Sequence, residues 1–467
     1  MIPEPTLRAL REILGPAHLT TRPEDLAAAA SDATRLTFMP EAVARPGNPE
    51  EVSRVLQLAN RDRFPVIPRG AGTGQSGGAL PVRGGLVLAM DRFDRILDVD
   101  ADNMIARVEP GVVTARLQEE VEALGLFYPP DPASIHISTL GGNVAECAGG
   151  LRAVKYGVTR DYVLGLEIVL PTGEILRTGV ETAKGVVGYD LTRLIVGSEG
   201  TLAVVTKITL RLVPKPEARR TMLAFFDDLA AAVRTVTGLV RRRVVPTTLE
   251  FLDRVCLDCV RGEMDLVVPE DAAALLLMEV DGDEGLVARD AERVREAALE
   301  SGAVQFQEAG DETEAERLWE ARRNVSPALQ SLRPGKVSED VVVPRSRLAE
   351  LVSFLGPLSR KHRQPVAAFG HAGDGNIHVH VLLDPDSPEE TANTERIVRA
   401  LFEEVIRLGG TLSGEHGVGI TKAPYLDLEL PEPSRSLMRR LKQAFDPNGV
   451  LNPGKIFPED LQPLPSP

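Results

Sequence analysis

Between Arg69 and Gly78 the chain reads RGAGTGQSGG, and five of these ten residues are glycine. Gly72-Thr-Gly74-Gln-Ser-Gly77 matches GxGxxG, but that fingerprint needs a helix to begin at the loop, so that a pyrophosphate sits on its N-terminus. Here the loop runs into Pro81, Gly84-Gly85 and the apolar strand LVLAM, with no helical run behind it. A dinucleotide-binding Rossmann unit is therefore excluded. Two readings remain. Backbone amides exposed by small residues form an anion-cradling nest, with Thr73 and Ser76 adding hydroxyls and Arg69 a charge, or the stretch is a glycine-rich surface loop.

At 467 residues the chain exceeds the roughly 250 to 300 at which one hydrophobic core stops growing, so two or more domains are expected. A formal net charge of -15 argues against nucleic acid or an anionic membrane as the main partner, since both demand a basic patch. The three cysteines, Cys147, Cys256 and Cys259, cannot build a disulfide framework and fit a reducing compartment. Cys256 and Cys259 form a lone CxxC, which without a second pair reads as buried helix residues. The N-terminus MIPEPTLRALREILG lacks a secretory apolar core, and no run reaches the length of a membrane span. The expectation is a cytoplasmic protein, peripheral to a membrane only through a partner. The Pro-rich end LQPLPSP reads as a frayed tail.

PEEVSRVLQLANRDRF has apolar residues at helical spacing, and PVIP after it is a short strand bounded by prolines. The strands GLVLAM, RILDVD and NMIARVEPG follow, then a helix TARLQEEVEALG with Thr114 read as its N-cap. A second glycine-rich stretch, Leu140 to Gly150, precedes the hairpin YVLGLEIVLPTGEILRT with its turn at Pro171 to Glu174. Near Val213 to Pro216 the texture changes to long amphipathic stretches alternating with strands such as AALLLMEVDG, which reads as helices on one side of an antiparallel sheet. The fold class is α+β, with domains at 1–215, 216–410 and a closing segment at 411–467.

Three of the seven histidines lie in FGHAGDGNIHVH, Phe369 to His380, and a fourth, His416, in SGEHGVG. Between His371 and His378 the run AGDGNI must turn, so the flanking apolar stretches form a hairpin that brings two imidazoles together. His378 and His380 share a face, because strand side chains repeat every two residues. With Glu415 as a third ligand, two His and one carboxylate make a recurring divalent-metal arrangement; the other reading is a set of structurally satisfied histidines.

PRGAGTGQSGG, YPPDPASIHISTLGGNVAECAGG, GSEGTLAVVT, FGHAGDGNIH, SGEHGVG and DPNGVLNPGK occur in one order over roughly Ala42 to Phe457. Together they resemble the FAD-linked oxidoreductases of the vanillyl-alcohol-oxidase fold, in the branch of the glycolate oxidase FAD-linked subunit, D-lactate dehydrogenases and D-2-hydroxyglutarate dehydrogenase. The resemblance implies a two-subdomain PCMH-type FAD-binding domain, an α+β substrate (cap) domain, and a C-terminal segment returning to the flavin. It assigns the pyrophosphate wrap to Pro68, Arg69, Gly70, Gly72, Thr73, Gly74, Ser76, Gly77 and Gly78. It assigns the flavin lining to Pro130, Asp131, Ser138, Thr139, Gly142, Asn143, Cys147, Gly149 and Gly150. Glu199, Gly200 and Val205 fall toward the adenine end, and Asn452 adds a contact. Some relatives tether the flavin through His or Cys; His136 and Cys147 are the only such residues in these segments and neither stands at a tether position, so non-covalent FAD is expected.

The same resemblance makes His371, His378 and Glu415 metal ligands (Zn, Mn, Co or Fe) and His416 the catalytic base. Arg322, in LWEARRN, becomes the substrate-carboxylate clamp, a fork that binds and orients at once. His380 and Asn376 become substrate contacts. The expected activity is oxidation of a D-2-hydroxy acid to the 2-oxo acid, with hydride going from the α-carbon to flavin N5. A bound cation makes the hydroxyl acidic enough for a neutral imidazole to take its proton. Ser338 and Glu339 stand where the hydroxyglutarate branch has a lysine-containing segment, which favours a small monocarboxylate of lactate or glycolate type. No four-cysteine iron-sulfur spacing is present, so electrons go to a soluble carrier, a quinone or an iron-sulfur subunit. Two other readings follow: an FAD subunit of a multi-subunit glycolate oxidase active only with its partner, and a non-redox flavin enzyme of the alkyl-glycerone-phosphate synthase type. A homodimer is compatible with all of them.

Overall fold

The computed structural model describes residues 2–261 and 267–457; the LQPLPSP end lies outside them. The chain divides into two compact units. The first holds Met1–Gly150, Gly157–Lys215 and Glu415–Pro467; the second holds Leu151–Tyr156 and Pro216–Gly414.

In the first unit, strands Ala42–Ala44, Leu86–Ala89 and Val66–Arg69 pair in parallel, with Leu19–Thr20 antiparallel at the edge. The helix Pro49–Asp62 covers them. Asn48 caps it by accepting from the Glu51 amide at 2.8 Å, Pro49 supplies the pre-set first turn, and Val52, Val55, Leu56 and Ala59 point into the core. Parallel strands need such a crossover, and their buried faces explain the unbroken apolar run LVLA. A five-stranded antiparallel sheet follows, in the order Ile96–Asp100, Ile105–Val108, Val204–Arg211, Val163–Val169, Ile175–Gly179. Its last pair is the hairpin read from the sequence, turning at 171–174. Thr114 is the first residue of the helix Thr114–Glu122 and not its cap. Its hydroxyl is drawn inward to the Ser138 carbonyl at 3.1 Å and accepts from Asn143 Nδ2 at 2.8 Å. The second glycine-rich stretch contains a short helix, Leu140–Glu146, capped by Thr139 through the Gly142 amide.

In the second unit seven strands form one antiparallel sheet in the order Gln305–Glu308, Ala218–Phe226, Ala274–Gly282, Thr248–Asp253, Val366–His371, Asn376–Leu383, Gly335–Val342. Helices cover both faces, not one. Leu252, Leu275, Leu277 and Phe369 pack with helices Arg254–Val260 and Glu312–Ala328. Phe251, Leu276 and Ile377 meet helices Leu229–Arg241 and Leu348–His362. The central strands are buried along almost their whole length, which is why ALLLM is continuously apolar instead of alternating. Cys256 is buried in the core on helix 254–260, and Cys259 is half-buried.

Candidate active site

The first unit contains a cavity of about 720 Å³. Eight of its lining residues are glycines. Pro68 to Gly74, then Gly78, Ser138, Thr139, Gly142, Asn143, Gly149, Glu199, Gly200 and Val205 line it, as do Glu415 and His416. A Cβ at Gly70 would lie 2.4 Å from Thr139 Oγ1, and Gly72 has a φ of +73°, so both positions reject larger residues. Ser76, Gly77, Pro130, Asp131, Cys147, Gly150 and Asn452 lie outside this lining. Several of them brace it: Asn452 Nδ2 donates to the carbonyls of Gly78 and Glu199 at 2.9 and 2.8 Å, and the Ser76 carbonyl accepts from the Ile420 amide at 2.8 Å. His136 is exposed, and burial pushes the Cys147 thiol up, away from the nucleophilic thiolate.

Buried polar atoms without a partner mark where a ligand belongs, since each costs about 1 to 3 kcal/mol when left unmade. On the residues that line the cavity, Arg69 Nη1 and Glu146 Oε2 are such atoms. Arg69 is steadied by Nη2 donating to the Ser31 carbonyl at 2.6 Å. A glycine-walled cavity with a half-buried guanidinium and the hydroxyl side chains of Thr73, Ser138 and Thr139 on its lining fits a flat cofactor carrying a pyrophosphate.

The sequence reading missed two acids here. Asp32 comes from the N-terminal segment, which carried no motif; Glu146 stood inside NVAECAGG, an acidic residue in a glycine-rich run. Burial raises the carboxyls of Glu146, Asp32 and Glu199, Glu146 most, with the charge of Glu199 adding to it. Glu199 is engaged on both oxygens, accepting from the amides of Val418 and Gly419 at 2.8 and 2.6 Å.

The histidine cluster of the second unit is a product of strand register. The hairpin pairs 366–371 with 376–383 and turns at 372–375. Glu250 stands opposite His371, Phe369 opposite His378, Asp340 opposite His378 from the other side, and Ser338 opposite His380. His378 Nε2 and His371 Nε2 are 3.3 Å apart. Two nitrogens bound to one ion at about 2.0 to 2.1 Å are separated by roughly 3.0 to 3.4 Å, so this pair fits one divalent cation. His371 Nδ1 donates to Glu250 Oε1 at 2.6 Å, which turns Nε2 toward His378. His380 Nδ1 lies 2.6 Å from Ser338 Oγ, and its ring stacks on Phe369 at 4.7 Å between centroids.

Arg322 extends from helix 312–328 and rests on Phe369, with Cζ 4.5 Å from the ring centroid. Its Nε and Nη2 reach Glu250 Oε2 at 2.8 and 2.7 Å. Burial opposes ionisation of Glu250, but His371 and Arg322 outweigh it and hold the carboxyl down at about 2. Asn376 is buried at the start of its strand, with its side-chain amide donating to the Val341 carbonyl at 3.2 Å. Asp340, fully buried, accepts from the Gly414 amide at 2.7 Å and from Ser413 Oγ at 3.3 Å. Glu250 and Asp340 carry no signal in the sequence beyond being acidic residues within TLEFLD and SEDVV.

Solved structures of similar shape include p-cresol methylhydroxylase with substrate bound, with a TM-score of 0.81 at 20% identity over 97% of this chain and 96% of that one. Alkyldihydroxyacetonephosphate synthase gives a TM-score of 0.76 at 19% identity over 97% and 86%. The fold is thus that of the p-cresol methylhydroxylase class. Residues 40–179 match the family described as FAD binding domain, and residues 215–456 that described as FAD linked oxidases, C-terminal domain. The chain is 45% identical over 463 residues to "Glycolate oxidase subunit GlcD" of Bacillus subtilis (strain 168), covering 99% of this chain and 98% of that protein. It is 38% identical over 419 residues to a D-lactate dehydrogenase of Archaeoglobus fulgidus, covering 89% and 90%. This chain belongs to the FAD-linked oxidases and is an FAD-dependent oxidoreductase.

Proposed function

We propose that the chain oxidises a small D-2-hydroxy monocarboxylate, of glycolate or lactate type, to the 2-oxo acid, with non-covalent FAD and a divalent cation. The observation that carries this reading is the second unit's cluster, in which two imidazole nitrogens converge to 3.3 Å beside an arginine fork. The glycolate oxidase and D-lactate dehydrogenase relatives support the same substrate class.

In this reading Arg322 receives the substrate carboxylate on the guanidinium edge that Glu250 leaves open, and so fixes the α-carbon. His380 and Asn376 shape the rest of the substrate space. His371, His378 and Glu415 hold the cation; Gly414, anchored to Asp340, precedes Glu415 by one peptide bond. His416 takes the hydroxyl proton as general base. The cation, when bound, supplies the positive charge that brings the hydroxyl within reach of an imidazole. FAD, when bound, supplies the two-electron acceptor. Arg69, Gly70, Gly72, Thr73, Gly74 and Gly78 cradle its phosphates, and Ser138, Thr139, Asn143 and Gly149 its flavin half.

Electrons leave to a non-NAD acceptor. The B. subtilis relative is named as a subunit, which favours a partner chain as the acceptor; the three cysteines of this chain do not supply the four-cysteine spacing of an iron-sulfur cluster. Among the described residues no helix is long and apolar enough to cross a membrane, which is compatible with the expected cytoplasmic location. The test is anaerobic bleaching of the flavin by D- and L-lactate, glycolate, 2-hydroxybutyrate and 2-hydroxyglutarate, with and without chelator. Fast bleaching by a D-monocarboxylate that stops on verified metal removal is expected. Bleaching that survives metal removal would overturn the cation's role, and none with any hydroxy acid would overturn the substrate class.

A further inference from the structure

The carboxylate of Glu250 touches both halves of the second unit's cluster, and nothing in the reaction requires it to touch substrate. Its residue is completely inaccessible, in the strand Thr248–Asp253 between Leu249 and Phe251. One oxygen accepts from His371 Nδ1 at 2.6 Å. The other accepts from Arg322 Nε at 2.8 Å and forms an ion pair with Nη2 at 2.7 Å. Neither oxygen duplicates the other's work.

We propose that Glu250 is a positioning residue that links the cation-binding histidine to the substrate-binding arginine, so that the two grips are set together. The inference rests on the reading of His371 and His378 as cation ligands and Arg322 as the carboxylate clamp. Its physical basis is the division of labour within one carboxylate. Accepting at Oε1 fixes His371 as the Nδ1–H tautomer, which leaves Nε2 its lone pair and aims it at His378; partners of this kind tune ligand basicity and orientation. Accepting at Oε2 takes the Nε and Nη2 edge of the guanidinium, which directs the remaining edge away from the strand and prevents the fork from rotating. Phe369 completes the frame, carrying Arg322 on its ring and His380 stacked at 4.7 Å. No alternative acid is needed, because the strand register alone puts position 250 opposite position 371.

An amide has one acceptor oxygen and cannot serve both partners. Glu250→Gln therefore breaks the link that a carboxylate makes between the two grips, while keeping the size of the side chain. Glu250→Asp keeps the charge but retracts it by one methylene, so it loses at least one of the two contacts. The experiment titrates Mn²⁺, Co²⁺ and Zn²⁺ into chelator-treated, FAD-loaded protein by calorimetry, and measures KM and kcat for flavin bleaching in parallel. Both variants are expected to lose cation affinity by about 10- to 100-fold and to raise KM in the same preparation, with FAD stoichiometry unchanged. Arg322→Lys is expected to raise KM with cation affinity intact. A merely structural role would instead lower FAD content and melting temperature with no selective loss of cation affinity. If the unaltered protein binds none of the three cations, the metal reading itself fails and the link falls with it. If it binds them and both Glu250 variants bind them equally well, the link alone is overturned.

Discussion

The cofactor cavity of the first unit and the histidine cluster of the second are built on opposite principles. The cavity is shaped by what is missing: glycines at 70 and 72, where a Cβ would collide with Thr139 or Arg69, and buried polar atoms of Arg69 and Glu146 left for a ligand. The cluster is shaped by what is present. Glu250, Arg322, Phe369, His371, His378, His380 and Ser338 lock one another by hydrogen bonds and ring contacts. A wall of backbone tolerates no added atoms and a net of side chains tolerates no removed ones, so the two regions should fail differently.

The largest expected effect is at His416. His416→Ala should lower substrate-dependent flavin reduction by about 10²- to 10⁴-fold, with FAD content, read from the visible spectrum of the purified protein, unchanged. Loss of FAD in this variant would show that the loop residue supports the cavity and not proton transfer. Next, Arg322→Lys should raise KM by roughly 10- to 100-fold, the worth of a charge-assisted bidentate contact of about 1.5 to 3 kcal/mol. In the cavity, Gly72→Ala forces an L-residue into a left-handed backbone, at about 1 to 2 kcal/mol. It should weaken FAD binding roughly 5- to 30-fold, measured by fluorescence titration, without altering cation affinity. An equal loss in both would erase the distinction between the regions.

A further difference concerns pH. Burial brings the Lys455 ammonium down to about 7 from an ordinary 10.5, against the opposing charges of Glu199 and Asp32. Its folded form thus disfavours the charge. The stability it contributes is present above the unfolded value near 10.5 and is lost as pH falls through 7. Lys455→Met should flatten the unfolding free energy between pH 10 and 7, by at most about 1.4 kcal/mol per pH unit, in urea titrations.

Much of the molecule was visible in the amino-acid order. GxGxxG without a following helix excluded one fold, and the six motifs in register with one another gave the family. The hairpin at 372–375 followed from AGDGN alone, because two glycines with Asp and Asn must turn. Thr114 shows where local reading fails: it has the chemistry of a cap, but Ser138 and Asn143, more than twenty residues away in sequence, draw its hydroxyl inward. The second unit's sheet was read as covered on one face only, though its strands are apolar on both.

Sequence by itself determined the residues with chemical capacity and the local turns that group them: the glycines of 70–78, the histidines at 371, 378 and 380, the pair Glu415-His416. Those are properties of neighbours along the chain. Only the tertiary structure decided that Glu250 faces His371, that Arg322 lies on Phe369, and that Asp32 and Glu146 enter the cofactor cavity. These pairings depend on strand register and helix docking across tens to more than a hundred residues, and a shift of one position in the sheet would turn Glu250, Phe369 and His371 to the other face.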